Sequence, residues 1–144
     1  MTSGGFWAYG SKFQVGDGAT PEVFTTVAEI IDVGGPKLER DSIEMTNQDS
    51  TLGWREFIPG LRDGGEVTFN CNWLPTNATQ DSSTGVLSDF NDNVNHNCKI
   101  ILPDTTTTLS FAAHVTGITP DLPLEDRGTL DITVKVSGPV VCNV

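Results

Sequence analysis

The side chains best equipped for covalent, acid–base or metal chemistry are two histidines, His96 and His114, and three cysteines, Cys71, Cys98 and Cys142. Neither histidine belongs to an H-E-x-x-H helix, which would turn two imidazoles toward one zinc ion. His114 stands between Ala113 and Val115 in a strand-like run, where a hydrogen-bonded structural histidine is the expected reading. The cysteines are odd in number, far apart and without a C-x-x-C pair, so free thiols in a reducing compartment are expected. No G-x-S-x-G presents a serine nucleophile, and no G-x-x-x-x-G-K-[ST] cradles a phosphate. The stretch Asp89–Asn93 opens like a calcium loop. Val94 then stands where such a loop needs glycine for its sharp turn, and Ile100 where it needs a bidentate glutamate. Glu125 and Asp126 are adjacent acids in a turn with Pro120 and Pro123. They read as solvated carboxylates rather than as the spaced pair that glycoside chemistry uses. No catalytic residue, metal or cofactor is expected, and the chain does not read as an enzyme.

Charge narrows the choice of partners. Eight Lys and Arg against nineteen Asp and Glu leave a formal net charge of −11 over 144 residues. Such a surface repels phosphate over a Debye length of about 8 Å at physiological salt, which argues against gripping duplex DNA through basic contacts. The start of the chain has no basic segment followed by an apolar one, and no apolar run is long enough to span a bilayer. A soluble chain that is intracellular when made is expected. Its length suits one domain, which hides about two-thirds of the unfolded surface without staples.

The elements that carry these residues read mainly as strands. Glu66–Trp73 alternates Val67, Phe69, Cys71 and Trp73 with Glu66, Thr68, Asn70 and Asn72, the period of a half-buried strand. Cys71 is thereby a small core residue. Leu130, Ile132, Val134 and Val136 alternate in the same way with Thr129, Asp131, Thr133 and Lys135. Further strands are expected at Lys12–Val15, Val23–Val33, Leu38–Thr46, Lys99–Leu102 and Thr108–Thr119, with Gly-Asp-Gly and Gly-Gly-Pro turns between early ones. Thr79–Phe90 reads as one short helix, weakened at Gly85 by about 1 kcal/mol relative to Ala. Strands and helices do not alternate, so the expected fold is an antiparallel β-sandwich or open barrel with one flanking short α-helix.

Two segments resist that scheme. Residues 1–11 form a glycine-rich arm holding Phe6, Trp7 and Tyr9, ahead of a single domain over 12–144. The arm either plugs its own domain or docks on a neighbouring molecule. Residues 47–65 read as a long connection, yet they hold Trp54, Phe57, Ile58 and Leu61 together with Asp49, Arg55 and Arg62. Structureless loops beyond about 12–15 residues are uncommon in compact domains and tend to be functional. Its apolar weight either folds back on the core or anchors another subunit, where Trp and Arg are frequent hot spots.

The run from Met45 to Val67 (Met-Thr-Asn-Gln-Asp-Ser-Thr, then Gly-Trp-Arg-Glu-Phe-Ile-Pro-Gly-Leu, then Asp-Gly-Gly-Glu-Val) resembles the signature of the lambda-like major tail tube proteins of long-tailed, non-contractile phages. Other pieces fall in matching order: Val15–Gly18, Val33–Pro36, Trp73–Thr76, a hairpin opened by Pro103-Asp104, and Thr116–Pro120. The resemblance covers residues 12–138. It implies subunits that close into hexameric rings and stack into a hollow tube through which genomic DNA is ejected into the host. It further implies a tape measure protein and tail terminator or tip proteins as partners, assembly in the bacterial cytoplasm, and a final place in the virion tail. Phage lambda's own protein carries an added immunoglobulin-like domain; this chain stops soon after its last strand and is expected to lack it.

On that resemblance the 47–65 segment and the arm reach neighbouring subunits and the next ring. The polar faces carrying Glu66, Thr68, Asn70, Asn72 and Asp131 are expected either to line the lumen or to form an ordinary wet surface. Rival readings are a tail terminator or type VI secretion ring protein of related architecture, and a monomeric carbohydrate-binding β-sandwich.

Overall fold

A computed structural model describes residues 3–103 and 106–144; Asp104, half of the expected Pro103-Asp104 turn, lies outside the described residues. Among the described residues there are nine strands: β1 (Lys12–Gly16), β2 (Phe24–Thr26), β3 (Ile30–Gly34), β4 (Glu39–Glu44), β5 (Phe57–Asp63), β6 (Glu66–Asn72), β7 (His96–Ile101), β8 (Thr108–Asp121) and β9 (Thr129–Asn143). Seven of them form one antiparallel sheet in the order β2-β1-β7-β8-β9-β6-β3, while β4 and β5 form a separate ribbon. The mainly β, antiparallel expectation holds. The large sheet does not close into a barrel and ends at β2 and β3.

It does curl strongly. Phe13 on β1 and Phe69 on β6 stack at 4.4 Å, although four strand spacings of a flat sheet would part them by about 19 Å. The concave side holds the core: Phe13, Val67, Phe69, Cys71, Ile100, Phe111, Leu130, Ile132, Val134 and Val136 are all buried. The alternation read along Glu66–Trp73 and Thr129–Ser137 is therefore the burial pattern observed, with Val67 and Cys71 fully enclosed.

Three expectations are corrected. Val23–Val33 is two strands, because Glu29 takes a left-handed φ of 52° and turns the chain. Its two halves then pair with different partners, β2 with β1 and β3 with β6. The helix α1 covers only Val86–Asn91. Upstream of it the Asp81 carboxylate accepts hydrogen bonds from the backbone N–H groups of Ser83, Thr84 and Gly85. A short polar side chain that satisfies the backbone locally offers an alternative to helix, and here that alternative wins. The third correction is β5, which occupies much of the expected 47–65 connection. Among the described residues no helix is long and apolar enough to cross a membrane.

Candidate assembly surface

The β4–β5 ribbon leaves the large sheet through Asp63-Gly64-Gly65. Gly65 has φ +67, and a Cβ there would run into the Lys37 carbonyl; a Cβ at Gly64 would meet Val136 at 2.5 Å. Glycine at both positions lets the ribbon lie against Val136 and Val140 of β9. Within the ribbon, Ile43 opposes Ile58 and Glu44 opposes Phe57, with a bulge between Arg40 and Ser42. Pro59 is tolerated because both strands of a two-stranded ribbon are edges.

The tip, residues 45–56, is organised by its polar side chains. The Asn47 carbonyl oxygens accept from the N–H groups of Asp49 and Ser50, and Ser50 Oγ donates to Glu56. Thr46 Oγ1 accepts from the Glu56 N–H, and one 3₁₀ turn spans Thr51–Gly53. Arg55 lies 3.8 Å from Glu44. The polar residues are consumed in building the tip, and the apolar ones are left outside it. Trp54 is 73% exposed and Leu61 84%, while Phe57 and Ile58 are about half exposed. Apart from its end at Gly64, which lies by Val136 and Val140 of β9, the ribbon is exposed on both faces. An isolated two-stranded ribbon is marginal in water, and this one leaves large apolar side chains exposed.

The arm presents a second apolar surface. Trp7 and Tyr9 stack on each other at 5.0 Å, and both, like Phe6, are exposed. Asp49 and Arg62, the remaining expected contact residues, are exposed on the ribbon. Of the two readings for these segments, folding back onto the protomer's own core does not occur in the single chain.

The convex sheet face gathers the other expected set. Glu66 stands opposite Lys135, Thr68 opposite Thr133, Asn70 opposite Asp131 and Asn72 opposite Thr129. Glu66, Thr68 and Asp131 are exposed, and Asn70 and Asn72 half-buried. The two asparagines also tie the β3 edge, Asn70 accepting from the Asp32 N–H and Asn72 donating to Glu29.

Cys71 and Cys98 are buried thiols, pushed up by burial to about 11 and about 12 respectively, and Cys142 is exposed. His114 Nδ1 hydrogen-bonds Asn95. The stretch that fails as a calcium loop does bring Asp89 and Asp92 to His96, whose Nε2 lies 3.6 Å and 3.0 Å from them. These are the residues that could hold a cation; in the chain they tie the end of α1 to β7. One structural side chain escaped sequence reading. Gln80 is wholly buried, accepts from the Leu74 N–H and donates to the Ala28 and Asn72 carbonyls.

No curated protein matches the chain. Among solved structures it is similar to the tail of an empty gene transfer agent particle refined with C6 symmetry, at 16% identity and TM-score 0.71, covering 92% of this chain and 96% of that one. It is similar to a chain of the sheath/tube terminator structure of the extracellular contractile injection system PVC, at 18% identity and TM-score 0.75, over all of both chains. The SPP1 tail tube matches at 14% identity and TM-score 0.67, over 92% of this chain and 76% of that one. At these identities the likeness is one of fold. The family model described as lambda phage tail tube protein matches residues 7–142. The chain therefore belongs to the lambda phage tail tube protein family.

Proposed function

We propose that this chain is the building block of a long-tailed phage's tail tube, in which six copies close a ring and rings stack into a hollow conduit for genome ejection. One observation carries this reading: Trp54, Phe57, Ile58 and Leu61 are displayed, exposed, on a ribbon separate from the large sheet. The family match and the sixfold symmetry of the similar gene transfer agent tail support it. In this arrangement the arm and the ribbon, with Phe6, Trp7, Tyr9, Asp49, Trp54, Arg55, Phe57, Ile58, Leu61 and Arg62, touch neighbouring subunits. The β6–β9 face with Glu66, Thr68, Asn70, Asn72 and Asp131 looks into the lumen. Like-charge walls keep DNA, which carries about one charge per 1.7 Å of axis, from adhering. The protein's work is structural; it is put together in the host cytoplasm around a tape measure protein and capped by terminator and tip proteins.

The likeness to the sheath/tube terminator structure favours a second reading, a ring that ends a tube rather than building one. Negative-stain microscopy of the purified protein with mass measurement separates them. Long tubes of uniform width are expected. Single rings under all conditions would favour the terminator, and a strict monomer would sink both.

A further inference from the structure

The ladder of the ribbon places like charges directly opposite one another at two successive positions. Glu39 faces Asp63, and Arg40 faces Arg62. Such pairs are destabilising unless a counter-charge intervenes. The acids are relieved within the chain: Lys37 lies 3.2 Å from Glu39, and Lys135 lies 3.3 Å from Asp63. The arginines are not. Among the described residues neither Arg40 nor Arg62 has a carboxylate within ion-pair distance, and both are exposed. They stand beside Leu38 and Leu61 in a groove closed on its far side by Val136 and Val140. Four of the chain's eight Lys and Arg lie between Lys37 and Arg62, among five Asp and Glu, and of these four only Arg40 and Arg62 lack an ion-pair partner among the described residues.

The opposite end of the sheet presents the complement. The turn after β8 reads Asp121-Leu-Pro-Leu-Glu-Asp-Arg127, with Leu122 69% and Leu124 98% exposed, and with Glu125 and Asp126 exposed beside them. Thr129, just after the turn, pairs with Asn72 at one end of β6, while the ribbon joins β6 at Glu66, where the partner is Lys135. The two features are thus separated by the length of β6, about 20 Å along the strands. A contact between opposite ends of identical molecules repeats without closing on itself and builds a filament.

Resting on the tail-tube reading, we infer that the occupant of the Arg40–Arg62 groove is the Leu122–Asp126 turn of a second copy in the adjoining ring. Glu125 and Asp126 pair with the two arginines, and Leu122 and Leu124 cover Leu38 and Leu61. The pairing selects an end-to-end register and rejects a side-by-side one, since ribbon against ribbon would bring four arginines together.

The test is a charge swap in the full chain, scored by tube growth in light scattering and microscopy, with circular dichroism confirming the fold of each variant. R40E/R62E and, separately, E125K/D126K are each expected to raise the critical concentration for growth by about tenfold or more. The combined four-substitution protein is expected to recover growth toward the native level. R40E/R62E or E125K/D126K tubes forming as readily as native ones would overturn the pairing, as would a combined variant no better than its parents. In each of those cases native tubes leave the tail-tube reading standing. A native chain that forms no tubes removes that reading and this contact together.

Discussion

Phe13 and Phe69 stack ring on ring at 4.4 Å, although β1 and β6 stand four places apart in the same sheet. Phe111 joins them, its ring 6.3 Å from that of Phe13. The sheet is held in its curl by side chains across the concave face, because its edge strands β2 and β3 do not pair with each other. The curl also aims the convex, polar face of β6 and β9 outward as one surface.

Phe69→Ala should accordingly cost more than an average core truncation. The ring is 3% exposed and supports both halves of the curl. A loss of about 3–5 kcal/mol in urea unfolding is expected. A loss near that of an exposed phenylalanine, such as Phe90→Ala, would mean the curl is held by backbone pairing alone.

Trp54→Ala tests the assembly surface from the other direction. With the indole 73% exposed in the single chain, its removal should leave subunit stability within about 0.5 kcal/mol of native. Tube growth should fail, because a buried Trp at an interface is worth at least about 2 kcal/mol when it is a hot spot. The two readouts are thermal melting of the subunit and electron microscopy. Lost stability with retained tubes would return Trp54 to the protomer's own core.

The period-two strands were legible because burial leaves a direct imprint on them: every expected inward residue from Val67 to Cys71 and from Leu130 to Val136 is buried. The ribbon strand β5 was not. Its Phe57-Ile58-Pro59-Gly60-Leu61 order has no alternation, since these residues are exposed or half-exposed on both faces, and Pro and Gly read as loop. The Thr79–Phe90 helix was overdrawn because Gln80 and Asp81 look like helix formers or caps, while their side chains are committed to distant and local backbone groups. Hydrogen bonds that span fifty residues, as from Gln80 to Ala28, leave no local pattern. The exposed apolar residues of the ribbon and the arm were legible for a simpler reason: they fit no strand or helix period that would bury them.

Acid behaviour should expose a compromise at the end of α1. Burial raises the Asp89 carboxyl above its ordinary 3.8, with His96 pulling it down and Asp92 pushing it up. A carboxyl raised in the folded state contributes stability that is present below 3.8 and is lost as pH climbs through the folded value. Asp89→Asn removes that loss. The variant should match native stability near pH 3.5 and exceed it at pH 7 in urea melts. Lower stability at pH 7 would show that the pairing with His96 outweighs burial.

Neutralising the convex face separates conduit from scaffold. Glu66 and Asp131 are exposed on β6 and β9 and lie outside the ribbon and the arm. Glu66→Gln with Asp131→Asn keeps shape and hydrogen-bonding capacity while removing two charges per subunit. Under the proposed arrangement six subunits per ring then lose twelve charges from the lumen wall, and the proposed repulsion of DNA there weakens. Phages carrying the double substitution should show tails of native length and width, because no proposed subunit contact involves either residue. Their DNA release, followed by dye accessibility after receptor triggering, should be slower than native, and the difference should shrink as ionic strength rises. Tails that fail to form would place these acids at a joint between subunits. Normal tails with unchanged release would place them on the outer, wet side of the tube.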